Sequence, residues 1–132
     1  MANALYPKFK ESALQAGVNM SSGTIKVALV NTGSYTYSST DQFYSAVTAA
    51  AVGTPQTIGS KTFTNGVFSG ANVTFTAVTG STASALVIYL DTGTAATSPL
   101  IAYIDTSVTG LPVTPNGGDI GITWNGSGIF AL

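Results

Sequence analysis

The amino-acid sequence predicts a mainly β protein, an antiparallel β-sandwich or jelly-roll-like barrel with a short N-terminal helix. Three observations carry that expectation. Apolar and polar residues alternate with period two in several short segments; clusters of Gly, Ser, Thr, Asn and Pro separate those segments; and helical spacing is confined to the first part of the chain. No linker interrupts the pattern, so residues 1–22 read as an N-terminal helix or arm and residues 23–132 as one antiparallel β domain.

Taken in order, the helix is predicted from Pro7, which suits a first turn, from Phe9, Ala13 and Leu14 on its apolar side, and from Gly17 as its stop. Lys8, Lys10, Glu11 and Gln15 then face outward. Ile25, Val27 and Leu29 alternate with Thr24, Lys26 and Ala28, which predicts a strand with one buried face. Asp41 to Ala51, with Phe43, Tyr44, Val47 and an alanine run, suggests helical turns inserted between strands. Asn65-Gly66 favours a tight hairpin turn into Val67 and Phe68. Val73, Phe75 and Ala77 alternate with Thr74 and Thr76, and Ile120, Ile122 and Trp124 alternate with Gly121 and Thr123, giving two more half-buried strands. Ala85 to Leu90 and Leu100 to Ile104 are nearly continuous apolar runs, the pattern of strands covered on both faces. Their endings, Tyr89-Leu-Asp-Thr and Tyr103-Ile-Asp-Thr with Ser107 following, echo each other and mark neighbouring strands. In all, seven or eight short strands are expected.

Composition excludes much chemistry. Only 7% of the 132 residues are charged, against roughly 25% in an ordinary soluble domain. The basic residues are Lys8, Lys10, Lys26 and Lys61, the acids Glu11, Asp41, Asp91, Asp105 and Asp119, and there is no Arg, His or Cys. A net charge of −1 disfavours nucleic acid, whose backbone is held by several cations. Zinc, iron–sulfur and haem sites lack their usual ligands, and catalysis by His or Cys is ruled out. No metal or cofactor is expected. The longest apolar run falls well short of a bilayer span, and the first residues contain no secretory apolar stretch, so no membrane role is expected and synthesis is assigned to the cytoplasm. Thr (20) and Ser (14) make up over a quarter of the chain. Such hydroxyl-rich surface can be covered by another chain without stranding charges.

Few segments invite a specific chemistry. Leu90-Asp91-Thr92-Gly93 has the apolar-Asp-Thr-Gly form of retroviral-type aspartic proteases, in which two Asp residues share a proton across a dimer. The residue after the glycine is Thr94, and the Asp105-Thr106 echo points instead to aspartates that turn the chain at strand ends. Pro115-Asn-Gly-Gly-Asp119 lacks the spaced ladder of a calcium loop and reads as a turn. Asn19-Met-Ser, Asn72-Val-Thr and Asn125-Gly-Ser have the form of glycosylation sites but carry no weight without secretion. Trp124, Tyr35, Tyr37, Tyr44, Tyr89 and Tyr103 form a possible sugar-stacking set, with Trp124 the member best suited to a core or subunit contact. Tyr35 and Tyr37, one residue apart beside a polar loop, are the leading candidates for contacts outside the subunit, joined by Tyr6 and Phe9 of the helical arm and by Trp124.

The opening Met-Ala-Asn-Ala-Leu-Tyr-Pro-Lys-Phe-Lys, the segment Ile25-Lys-Val-Ala-Leu-Val with Tyr35-Thr-Tyr-Ser, and the pieces Ala85-Leu-Val-Ile-Tyr, Leu100-Ile-Ala-Tyr-Ile-Asp-Thr and Gly110-Leu-Pro-Val-Thr-Pro-Asn-Gly-Gly-Asp-Ile resemble a family of small structural proteins of tailed phages and prophages. The resemblance spans most of the chain and transfers no active-site residue. It implies a non-enzymatic virion protein, first a capsid decoration (cement) protein, with a tail, baseplate or receptor-binding tip component as the alternative. Implied partners are further copies of the chain, as a trimer by analogy with other decoration proteins, and the major capsid protein, on which the helix or arm would dock.

Overall fold

The computed structural model describes residues 3–106 and 108–131; Met1, Ala2, Ser107 and Leu132, and with them the first residues of the arm and the end of the second Asp-Thr-Ser echo, lie outside. Among the described residues one α-helix, α1 (Pro7–Leu14), accompanies nine strands: β1 (Ala4–Leu5), β2 (Thr24–Val30), β3 (Ala51–Thr57), β4 (Val67–Phe68), β5 (Val73–Phe75), β6 (Ala85–Asp91), β7 (Leu100–Ile104), β8 (Ile120–Ile122) and β9 (Phe130–Ala131). A five-stranded sheet runs in the order β1-β7-β6-β2-β3, and two ribbons pair β4 with β9 and β5 with β8. Every pairing is antiparallel. The fold is therefore mainly β with one short N-terminal helix, as the residue pattern predicts.

Strands β6 and β7 are the neighbours expected from their similar endings, with Val87 opposite Tyr103. Both are covered on both faces. Strand β2 departs from expectation. Ala28 and Val30 are as buried as Ile25, Val27 and Leu29, leaving only Thr24 exposed and Lys26 half-buried. The reason is the register: β2 lies between β6 and β3, with Lys26 opposite Tyr89 and Ala28 opposite Val87. Tyr89 on that face stacks on Tyr44 at 3.9 Å, so the connection after β2 folds back over the sheet. That connection contains two short 3₁₀ turns, Tyr44–Ala46 and Thr48–Ala50, the inserted helical turns expected there.

The opposite face of the sheet carries Ile25, Val27, Leu29, Leu86 and Ile88. They share one core with Phe9 of α1 and with Phe68, Val73, Phe75, Ile120, Ile122, Trp124 and Ile129 of the ribbons and their flanks. Helix and ribbon meet edge to face through Phe9 and Phe130, centroids 6.0 Å apart. Leu14 is the exception to the predicted apolar side, being 89% exposed. At about 100° per residue it lies roughly 140° around the helix from Phe9.

The helix stops one residue earlier than Gly17 suggests. Ala16 adopts the left-handed conformation (φ 58°), the Gly17 N–H reaches Ser12 O at 2.7 Å and the Ala16 N–H reaches Ala13 O at 3.3 Å. This double closure is the Schellman arrangement with alanine where glycine is usual. Asn65 and Gly66 both take positive φ (56° and 77°), the combination a tight two-residue hairpin turn requires. Thr62 and Ser69 close that hairpin with a reciprocal pair of backbone bonds. In the β5 segment Ala77 turns outward at φ 49° and Val78 takes the inward place, so the alternation expected through Ala77 ends at Phe75.

Candidate functional site

The six aromatic residues with sugar-stacking potential do not converge on one surface. Tyr44 and Tyr89 stack against each other and are buried. Trp124 is 7% exposed, and its indole N–H donates to Ala71 O at 2.9 Å, so its face and its polar edge are both used within the chain. Tyr35, Tyr37 and Tyr103 do meet, and Tyr6 joins them from the residue before α1. Tyr37 lies 5.0 Å from Tyr6 and 5.6 Å from Tyr103 by ring centroids, and Tyr35 lies 6.3 Å from Tyr103.

Backbone geometry explains the meeting. Val87 opposite Tyr103 places the Tyr103 ring on the face over which the 31–50 connection returns. Alternation through Tyr35-Thr36-Tyr37 then directs both tyrosines of that connection onto Tyr103. Tyr6 is held by its N–H to Ile101 O at 3.0 Å on the adjacent strand. Asn3 fastens the same edge, its side-chain oxygen accepting the N–H groups of Asp105 and Thr106 at 2.8 and 2.9 Å.

The phenols form a directed chain. Tyr35 Oη donates to Asp41 Oδ2 at 2.8 Å, and Tyr6 and Tyr35 hydroxyls lie 2.7 Å apart. A carboxylate only accepts, so the Tyr35 proton points to Asp41 and Tyr6 donates to Tyr35. Burial pushes both phenols well above the usual tyrosine range, and the mutual hydrogen bond raises Tyr6 further. Tyr37 and Tyr103 are also raised by burial, with the Asp41 and Asp105 charges adding to the effect on each respectively.

The sequence-based contact residues fall mostly within the chain's own core. Tyr6, Phe9, Tyr35 and Trp124 are 0%, 2%, 6% and 7% exposed, their surfaces consumed by the chain's own core, so they offer little to a second chain. Tyr37 alone of the five stays half-buried at the mouth of an open cleft. That cleft holds about 350 Å³ between Tyr37 and Tyr35 on one side, Tyr103 and Asp105 on the other, and Thr32, Ser84 and Pro112 at its rim. Thr32 and Ser84 hydroxyls are 2.8 Å apart. Sequence reasoning missed Tyr6 as a partner of Tyr35 and Asp105 as a wall of the cleft; both depend on long-range pairing of β1 and β7.

Asp91-Thr92-Gly93 forms a strand-end turn. Asp91 Oδ1 accepts the Gly93 N–H at 2.9 Å and Oδ2 pairs with Lys26 Nζ at 3.2 Å. The Gly93 N–H and then Lys26 hold this carboxyl below the usual range. The glycosylation-shaped asparagines likewise serve the backbone: Asn19 accepts from Ser21 and Ser22, Asn125 from Ser127, and Asn72 from the Trp124 N–H. Asp119 accepts the Ala77 N–H at 3.0 Å, locking the 115–119 turn to the β5 end. A second, apolar groove of about 330 Å³ lies beside α1 and is lined by Phe9, Ala13, Val18, Met20 and Phe63.

The chain matches no protein-family model and no curated protein.

Proposed function

We propose that this protein is a non-enzymatic virion structural subunit that works by adhesion, with capsid decoration as its role. One observation carries the reading: the β domain has almost no unengaged charge. Lys61 donates to the Met20 and Gly23 carbonyls, Lys26 pairs with Asp91, Asp41 accepts from Tyr35, and Asp119 accepts from Ala77. Three of the four exposed charged side chains, Lys8, Lys10 and Glu11, sit together on α1. What remains outside is mostly Thr, Ser, Gly, Asn and Ala, which a neighbouring chain can cover without desolvating ions. A cement subunit acts by binding the assembled shell in preference to its separated pieces, and such a surface suits that task. The resemblance of several segments to tailed-phage structural proteins supplies the setting, and the trimer and the contact with a major capsid protein belong to the same proposal.

The test is cryo-electron microscopy of intact particles. Density at three-fold or quasi-three-fold positions of the shell is the expected result; density confined to the tail overturns capsid decoration. Sizing of the purified chain at low and high salt supplies a second check. A homo-oligomer whose mass is unchanged by salt is expected, because little charge is available for screening, and a monodisperse monomer counts against assembly. A tail or receptor-binding position is the second reading, favoured by the open tyrosine cleft.

A further inference from the structure

We infer that residues 3–14, β1 and α1 together, form an exchangeable arm that a second copy of this chain lays on the β7 edge in place of the chain's own. This deepens the assembly part of the proposed function and rests on it only in requiring that copies associate. Position in a particle does not enter.

The arm is held by contacts that any copy of it can supply. Strand β1 lies at the rim of the five-stranded sheet and pairs with β7 through Ala4 opposite Tyr103 and Leu5 opposite Ala102. The Tyr6 N–H donates to Ile101 O at 3.0 Å, and the Asn3 side-chain oxygen accepts the Thr106 N–H at 2.9 Å. Further in, the Tyr6 hydroxyl meets that of Tyr35, and Phe9 packs edge to face on Phe130. A body without its arm therefore bares the backbone edge of β7 and the hollow filled by Tyr6 and Phe9. An open strand edge is a template for another chain, and the segment that fits this hollow is the identical arm of a neighbour. In the exchanged form Tyr6 and Phe9, buried by their own core in the closed chain, become contacts between subunits.

The connection from α1 to β2 has one fixed end and one strained end. At the body end, Lys61 Nζ donates to Met20 O at 2.7 Å and to Gly23 O at 2.6 Å, and the Gly23 N–H closes on Asn19 O at 3.0 Å. At the arm end, Ala16 takes φ 58° to reverse the chain after α1, a conformation its Cβ disfavours. Gln15, Ala16 and Gly17 are exposed, so their rearrangement disturbs no core. Released into extended backbone, Ala16 loses its strain, and the stretch from Gln15 to Asn19 spans about 14 Å. That length carries the arm off its own body and onto an adjoining one. Every arm contact is remade, so exchange gains the relief of Ala16 at each connection and is opposed by the entropy of association; it grows with protein concentration.

The chain has no cysteine, so a disulfide placed between arm and body reports their pairing without interference. Leu5→Cys and Ala102→Cys are prepared as two separate single variants. Facing residues of an antiparallel pair lie about 4.5–5.5 Å apart at Cα, within reach of a disulfide. The two variants are mixed, unfolded in urea, refolded together at high concentration and oxidised. The products are sized under denaturing conditions without reductant and mapped by peptide mass spectrometry. A disulfide joining position 5 of one chain to position 102 of another is expected. Leu14→Cys, at a position 89% exposed, mixed with Ala102→Cys measures chance collision and should give no such link. Sizing of two hinge variants is an independent reading that stands if a cysteine variant does not fold. Ala16→Gly should lower the exchanged fraction about fivefold per connection, because glycine adopts the closed turn without strain. Ala16→Pro, whose ring fixes φ at about −65° and removes the N–H that closes on Ala13 O, should raise it. The exchange is overturned if the link between positions 5 and 102 does not exceed the Leu14→Cys control, or if both Ala16 variants size as the parent does. An oligomer without that link refutes exchange and leaves assembly standing, whereas a monomer at every concentration refutes both.

Discussion

Replacing Tyr35 with Phe removes one oxygen and breaks two interactions. The hydroxyl accepts from Tyr6 at 2.7 Å and donates to Asp41 at 2.8 Å. Tyr6 is 0% exposed, so its stranded hydroxyl has no water to turn to; an unsatisfied buried donor costs about 1–3 kcal/mol. The bond to Asp41 is half-buried and adds about 1 kcal/mol, for a total of about 2–4 kcal/mol. Tyr6→Phe should cost only about 1 kcal/mol, since Tyr35 keeps its acceptor at Asp41. The double variant is the sharpest case. With the Tyr6 hydroxyl also gone nothing is stranded, so Tyr6→Phe/Tyr35→Phe should be at least as stable as Tyr35→Phe alone. For 132 residues the unfolding entropy is about 0.28 kcal/mol/K, so each kcal/mol moves Tm by roughly 3–4 °C. Tyr35→Phe should thus melt roughly 7–14 °C below the parent. Urea and thermal unfolding at fixed protein concentration, read by fluorescence of Trp124, the only tryptophan, measure all three variants. Additive losses in the double variant, or a Tyr35→Phe loss no larger than that of Tyr6→Phe, would refute the directed chain.

Three other perturbations have definite outcomes. Ala16→Gly should stabilise the chain by about 1 kcal/mol in the same unfolding assay, because Ala16 ends α1 at φ 58°, where a Cβ is strained. Asp91→Asn should cost less than about 1 kcal/mol, since it keeps an oxygen for the Gly93 N–H and loses only the ion pair with Lys26, while Asp91→Ala should cost about 1–2 kcal/mol by losing both. The tyrosine phenols define an alkaline limit. Burial raises Tyr6, Tyr35, Tyr44, Tyr89 and Tyr103 in the folded chain, so their contribution is intact below the unfolded tyrosine value of about 10 and declines as pH rises above it. Phenolate absorbance should therefore rise together with loss of Trp124 fluorescence in one steep transition; a gradual titration near pH 10 with fluorescence unchanged is the contrary result.

Local chemistry was legible in the sequence wherever it alone decides the structure. Pro7 opens the helix, Asn65-Gly66 makes the hairpin turn, and the unbroken apolar runs of β6 and β7 mark strands buried on both sides. Long-range pairing was not legible. The burial of Ala28 and Val30 follows from the segment that folds back over β2, which no alternation within β2 itself can disclose. The tyrosines illustrate the same limit. Spacing put Tyr35 and Tyr37 on one side of their segment, but only the register of β7 with β6, and of β1 with β7, turns that side toward Tyr103 and brings Tyr6 beneath it. Leu14 failed for a different reason: two apolar residues five apart suggest a helix without sharing its buried side.

The disposal of charge links the fold to its proposed work. A chain with nine charged side chains needs few of them to be stable, yet most are tied to internal tasks. Lys61 bridges two carbonyls of the 17–23 loop, Lys26 and Asp91 join β2 to the end of β6, Asp41 terminates the phenol chain, and Asp119 pins the 115–119 turn. Each is spent on geometry, and the four exposed charges, Lys8, Lys10, Glu11 and Asp119, the last also engaged with the Ala77 N–H, cancel in sign. An exterior close to neutral resists self-association weakly, because colloidal solubility depends on net charge away from zero. A free enzyme or carrier gains nothing from such a surface, whereas a subunit destined to be covered loses nothing by it.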